Sequence, residues 1–363
     1  MKNINVPVGI SNFEKIRQDG YYYVDKTGLI KDMLKNKIPE VTLITRPRRF
    51  GKTLAMSMLA SFFDIRRDSK KLFQGLNISK EQQLCNDWMN QYPTLFLSFK
   101  DVDGTIFENA LGLLQFTIAE LCKKHTYLIE SDVVDQDDKE TFRKLKSMGS
   151  NLPELQGSII MLMNMMKAYY NKPVILLIDE YDVPIAKASS NGYYKEMLEV
   201  MKAMLSTALK DNEALKFAVV TGCLKIAKES VFTGTNNFVS DTISSERYNE
   251  YYGFTQKDVD QILQDAQIEE KASDIKEWYD GYRFGEFDVY CPWDVMNYLW
   301  DLTNNQNAKP VSYWKNTSDN AIIRSFIDYS GAAIKKKLEI LISGGSIRQQ
   351  IEENLTYDYL HSS

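Results

Sequence analysis

The chain has 363 residues, 44% of them hydrophobic and 12% aromatic, enough for a sizeable core spread over two or three domains. Its formal net charge of −5 argues against a broad nucleic-acid or anionic-membrane surface. Four scattered cysteines with no CxxC pair, and only two histidines, argue against a disulfide framework, a zinc site or a histidine-based triad; they fit reduced thiols and a cytoplasmic location. The N-terminus has no apolar h-region and no run approaches ~18 apolar residues, so neither a signal peptide nor a membrane span is expected.

In chain order, a loop and the stretch Tyr21–Thr27 lead into a helix predicted over 27–36, with Leu29, Ile30, Met33 and Leu34 on its apolar face. Tyr22 or Tyr23 could offer a stacking surface to a nucleotide base, or could simply pack on the core. Next comes the most informative stretch. Val41–Thr45 reads as a short buried strand, Arg46-Pro47-Arg48-Arg49-Phe50 as a turn, and Gly51-Lys52-Thr53 as the opening of a helix that continues through Leu54, Met58, Leu59 and Phe62. Strand, turn and helix opening with Lys-Thr is the layout of a phosphate-binding loop. A helix N-terminus offers unpaired N–H groups and partial positive charge to an anion. Gly51 leaves room for phosphate oxygens, Lys52 supplies a point charge, and the Thr53 hydroxyl can ligate Mg²⁺. The standard pattern GxxxxGK(S/T) puts its first glycine where this chain has Arg46, so the loop is a variant. The competing reading is an ordinary basic strand-to-helix turn.

After a polar connector, Thr94–Phe99 reads as a strand, 105–125 as a long helix, and 130–152 as a solvated acidic insertion carrying Asp132, Asp135, Asp137 and Asp138. Met161, Met163, Met165 and Met166 read as core filler on a helix over 153–170. The five consecutive aliphatics Val174–Ile178 predict a strand buried on both faces, ending in Asp179-Glu180. Acids at that end sit where open α/β sheets bind ligands: Asp179 to hold Mg²⁺, Glu180 to activate the attacking water. A strand followed by an acidic helix cap is the alternative. A helix is predicted over 192–211, then a strand over 215–222. Its Thr221 could touch the γ-phosphate or the lytic water, or merely end the strand. Phe238–Ile243 could add a fifth strand, reached through Thr233–Asn237. This order implies an α/β fold, a doubly wound parallel P-loop NTPase sheet.

From Tyr248 the character changes. Thr255 and Asp258 form a capping pattern, followed by a helix near 272–280, an aromatic turn over 278–285, a short strand at Asp288–Tyr290 and a helix opened by Pro292. We read an ATPase core over 1–246, with the insertion near 126–152, a small helical or winged-helix lid over 247–310, and a helical segment over 311–363 with helices at Ala321–Tyr329 and Ala333–Leu341.

The segments YYYVDKTGLI, TRPRRFGKTLAMSML, VILLIDEYDVPI, VVTGCLKIAKESVFTGTNNF, YYGFT, WYDGYRFG, VYCPWDVMNYL and YWKNTSDN, in this order, resemble the bacterial AAA-ATPase-like family over about residues 6–320. The resemblance implies a P-loop ATPase of the additional-strand, catalytic-glutamate type, related to the AAA+ and STAND ATPases, in which the loop has the same RPRRFGKT form. It implies nucleotide contacts along Arg46–Leu54, phosphate and Mg²⁺ contacts at Lys52 and Thr53, metal and water residues at Asp179 and Glu180, and a sensor strand at Thr221. The tyrosine-VDK segment resembles an adenine-side motif, adding Tyr23 and Asp25. A transition-state arginine is implied, with Arg48, Arg49, Arg247 and Arg283 all open. Family members usually carry a C-terminal PD-(D/E)XK nuclease-like domain. No strand-borne Asp followed by Glu-x-Lys occurs after residue 320, so this domain is expected to be absent.

The expected function is binding and slow hydrolysis of ATP with Mg²⁺, as a STAND-like switch whose nucleotide state repositions the C-terminal region and an unknown protein partner or second copy. ATP is favoured over GTP because no NKxD-type motif is present. The alternative is a DNA-associated defence or mobile-element protein that reads nucleic acid through the lid.

Overall fold

A computed structural model describes residues 4–35, 38–224, 238–314 and 332–348. The Thr233–Asn237 connector and the helix expected at Ala321–Tyr329 lie outside them. In chain order the elements are α1 (Phe13–Gln18), α2 (Gly28–Lys35), β1 (Val41–Thr45), α3 (Lys52–Phe63), α4 (Lys70–Phe73), α5 (Gln82–Trp88), β2 (Thr94–Ser98), α6 (Phe107–Lys124), α7 (Gln136–Lys146), α8 (Leu152–Gln156), α9 (Ser158–Tyr170), β3 (Val174–Asp179), α10 (Val183–Asn191), α11 (Tyr194–Leu209), β4 (Leu215–Gly222) and β5 (Phe238–Asp241). Beyond them are β6 (Phe254–Thr255), α12 (Gln256–Ala266), α13 (Ala272–Tyr279), β7 (Asp280–Phe284), β8 (Phe287–Tyr290), α14 (Pro292–Asn304) and α15 (Ala332–Ile342).

β1 to β5 form a parallel sheet in the order β2-β3-β4-β1-β5. Its strands are apolar because both faces are covered. The period of two splits each strand between the faces. Val41, Leu43, Leu176, Ile178, Ala218 and Val220 pack with α6, α7, α9, α10 and α11, whereas Ile44, Ile175, Leu177, Phe217 and Val219 pack with α2 and α3. The doubly wound parallel sheet is therefore present as expected from the sequence. The four methionines of α9 are buried in the first of these cores.

β4 lies between β1 and β3, so the loop after β1 and the acids ending β3 are separated by one intervening strand, roughly 10 Å centre to centre. The registers Ile44↔Thr221 and Ile178↔Val220 bring the C-terminal ends of all three strands to one level.

The 130–152 segment departs from the solvated insertion read in the sequence. Asp135 N-caps α7, accepting from the N–H groups of Asp137 and Asp138, and those two acids sit in the first turn. Val134, Phe142 and Leu145 are buried in the main core. The acidic cluster is thus a helix start rather than a ligand set.

β6, β8 and β7 form a small antiparallel sheet in that order, packed with α12, α13 and α14 around a third core. Thr255 and Asp258 form the expected capping box. The N-terminal segment bridges the two units. Val6 is buried in the third core, the Tyr22 hydroxyl donates to Asp265 at 2.8 Å, and Lys26 Nζ lies 2.6 Å from both Asp258 and the Glu250 carbonyl. Residues read as part of the core thus also hold the C-terminal unit. No helix among the described residues is long and apolar enough to cross a membrane.

Candidate nucleotide site

The end of β1 turns sharply into α3. Arg49 and Gly51 take positive φ, 73° and 84°, and Gly51 N-caps α3 with no side-chain cap. The first N–H groups of α3 are therefore available to an anion, and a glycine suits the left-handed backbone there. Lys52 is buried, and its Nζ donates to the carbonyls of Arg46 (2.9 Å) and Pro47 (3.0 Å), with Cys223 Sγ at 3.6 Å. The ammonium thus closes the loop on itself.

The two separate motifs meet. Thr53 Oγ1 donates to Asp179 Oδ2 at 2.8 Å, and Thr221 Oγ1 donates to Asp179 Oδ1 at 2.5 Å. Asp179 and Thr221 are both fully buried. Glu180 follows with φ 54°, in the left-handed region. A non-glycine residue held there costs on the order of 1–3 kcal/mol and is typical of functional sites. Burial first, then the neighbouring Asp179 charge, raises the Glu180 carboxyl pKa, while Lys52 and Arg48 draw it back. Gly222 permits the close approach of β4 to this turn: a Cβ there would lie 2.6 Å from the Tyr181 ring and 2.7 Å from Asp182 Oδ1.

Lys52, Thr53 and Glu180 border a cavity of about 530 Å³; Asp179 and Thr221 are buried beneath it and do not line it. Arg48, Arg49, Phe50, Gly51, Lys52, Thr53, Leu54, Tyr23 and Glu180 of the expected set line it. Arg49 stacks its guanidinium 4.0 Å over the Trp293 ring, and buried Phe50 meets Tyr282 and Phe284 of the β7–β8 hairpin. Tyr23 also donates to Met58 Sδ at 3.3 Å and packs edge-on against Phe13. Thr221 lies behind Asp179 and contributes through it.

Two expected contacts are placed elsewhere. Arg46 is fully buried away from the cavity. Its guanidinium donates to Asp241 Oδ2 and Asn249 Oδ1, both at 2.7 Å, and to the carbonyls of Thr45 and Asp241. It lies 5.2 Å from the Tyr252 ring centroid. The arginine at the variant loop position thus ties β1 to β5 and to the entry of the C-terminal unit. Asp25 accepts from Thr27 N, Thr27 Oγ1 and Asn77 N, fixing the start of α2, and does not reach the cavity. Pro47 contributes its carbonyl to Lys52.

Other lining residues carry no local sequence signal. Val8–Ser11, Pro292, Trp293, Met296 and Asn297 also line the cavity. Asp182 anchors the turn after β4, its Oδ2 accepting from Cys223 and Leu224 N–H at 2.9 Å. They come from segments distant in sequence, brought together only by tertiary packing.

A divalent cation fits this donor set. Two hard oxygens, Thr53 Oγ1 and Asp179 Oδ2, stand 2.8 Å apart, about the separation of adjacent ligands on an octahedral Mg²⁺ with bonds of about 2.1 Å. Among the described residues no group of three His, Cys, Asp or Glu side chains could hold a metal ion; Mg²⁺ at phosphates usually takes only one or two protein carboxylates.

Comparisons with known proteins place the chain in a family. A curated relative, an uncharacterized protein in the vnfD 5'region of Azotobacter chroococcum mcd 1, is 29% identical over 298 residues. The match covers 82% of this chain and 52% of that protein, so the chain spans about half the length of its relative. The family model described as Predicted AAA-ATPase matches residues 7–232, which include the loop after β1, the Asp-Glu end of β3 and all of β4, and the chain belongs to that family.

Proposed function

We propose that the chain binds ATP with Mg²⁺ in this cavity and hydrolyses it slowly, as a nucleotide-dependent switch. The observation that carries the reading is the meeting of Thr53, Asp179 and Thr221 in one hydrogen-bonded row, with Lys52 and Glu180 on the same cavity. The cavity is cationic although the chain is acidic: Lys26, Arg48, Arg49, Lys52, Lys100 and Lys187 line it with Glu180. That suits a polyanion, and triphosphate would draw Lys52 Nζ from the loop carbonyls. Thr53 and Asp179 would hold Mg²⁺, which supplies charge neutralisation at the phosphates. Glu180 accepts the proton of the attacking water, and its raised pKa makes it a stronger base than an ordinary glutamate.

The switch reading rests on the composition of the wall. Gly253, Phe254, Trp293, Met296 and Asn297 come from the C-terminal unit, and the N-terminal strap is clamped to the same unit through Lys26–Asp258. A ligand that packs against both walls biases their relative position. The DNA-associated alternative has less support: the stretch 269–288, through α13 and the β7–β8 hairpin, carries Glu269, Glu270, Asp274, Glu277, Asp280, Glu286 and Asp288 against Lys271, Lys276 and Arg283, a poor match to a phosphate backbone.

The test is nucleotide binding by calorimetry. Lys52→Ala should weaken MgATP affinity by about 10- to 100-fold, the value of one charge-assisted contact, without a matching loss of thermal stability. Unchanged affinity would remove Lys52 from the site.

A further inference from the structure

We propose that Arg48 is a catalytic residue, the arginine that contacts the transferring γ-phosphoryl group from within the same chain. The inference rests on the ATPase reading and completes it, since that reading assigns Lys52 and the metal to the phosphates but no bidentate donor to the charge developing on the equatorial phosphoryl oxygens.

The arginines near the site are otherwise committed. Arg46 is buried on Asp241 and Asn249. Arg49 covers the Trp293 ring. Arg283 stands out on the hairpin, 64% exposed beside Asp288, and Arg247 does not line the cavity. Arg48 lines the cavity together with Lys52, Thr53 and Glu180, and no hydrogen bond or ion pair occupies its guanidinium among the described residues. It shares that lining with Cys223 as well, so the end of β4 and the start of α3 both face the cavity that Arg48 enters.

In the reaction, a water oxygen forms the new bond to Pγ and its proton passes to the Glu180 carboxylate. The bond from Pγ to the bridging oxygen breaks, with its electron pair leaving on the β-phosphate of ADP. Arg48 donates to the γ-oxygens throughout and exchanges no proton, since a guanidinium stays charged. An arginine supplied in cis makes the site complete in one copy of the chain.

The experiment compares Arg48→Ala and Arg48→Lys with the parent chain, using ATP turnover and binding of MgADP with aluminium fluoride as a transition-state mimic. Both variants should keep the parental melting temperature and lose no more ATP affinity than Lys52→Ala does. They should lose turnover by about a thousandfold and lose tight binding of the mimic. Mixing Arg48→Ala with Glu180→Gln chains should restore nothing, because the two groups must share a chain. Restored turnover on mixing would assign the arginine to a second copy and overturn the proposal. So would Arg48→Ala turnover within tenfold of the parent. A parent chain that binds ATP analogues but never turns over ATP would count against the hydrolytic reading itself.

Discussion

Glu180→Gln should bind MgATP about as tightly as the parent and lose turnover by about 10²- to 10⁴-fold, the usual contribution of a positioned general base. The expectation follows from backbone as much as from charge. Glu180 is held at φ 54° immediately after a fully buried strand, beside an aspartate whose two oxygens are already engaged by Thr53 and Thr221. Asp179 is therefore committed to the metal side, and Glu180 is the cavity-lining carboxylate left to take a proton. The amide keeps the shape and removes the basicity together with the negative charge, which would not weaken binding of an anion. Because burial raises the carboxyl pKa in the nucleotide-free chain, the acid limb of parental kcat/KM should fall above the ordinary glutamate range: hydrolysis is retained above that pKa and lost as pH drops through it. Stopped-flow phosphate release and equilibrium nucleotide binding check both parts. Parental turnover by Glu180→Gln would remove the residue from the chemistry.

Asp241→Ala should destabilise the fold by about 3–5 kcal/mol, the cost of leaving a buried guanidinium without its counter-ion. Arg46 and Asp241 are 0% and 2% exposed at their side chains and 2.7 Å apart. Burial raises the Asp241 carboxyl pKa and Arg46 opposes that rise, as expected of a desolvated pair. The pair is imperfectly served, with Arg46 Nε and Asp241 Oδ1 lacking partners among the described residues, so Arg46→Met with Asp241→Leu should recover most of the loss. Chemical denaturation of the two single variants and the double variant reads the cycle. Equal, additive losses would mean that the pair contributes no coupling. Nucleotide binding in the double variant then reports what the link between β1, β5 and Asn249 does for the loop.

The sequence reveals those parts of this site whose chemistry is local. A phosphate loop must place glycine, lysine and threonine on consecutive positions at a helix start, and a two-faced strand must be apolar until it reaches its ligand end. Gly51-Lys52-Thr53 and Val174–Glu180 are therefore legible, and so is the parallel sheet. Arg46 is illegible for the converse reason. Its partners, Asp241 and Asn249, lie about two hundred residues away, and nothing in the loop distinguishes a buried arginine from a phosphate-binding one. The 130–152 segment misleads because α7 buries only a few apolar side chains amid many charges, so composition hides its amphipathic face. Val8–Ser11 and Trp293 join the cavity wall only through tertiary packing.

The most direct measurement is a crystal structure with Mg²⁺ and a non-hydrolysable ATP analogue. The account predicts the triphosphate along the start of α3, with Lys52 Nζ withdrawn from the Arg46 and Pro47 carbonyls onto the β- and γ-phosphates, and the γ-phosphate facing Glu180. An analogue bound away from Lys52, or with its γ-phosphate remote from the Asp179–Glu180 end of β3, would contradict it.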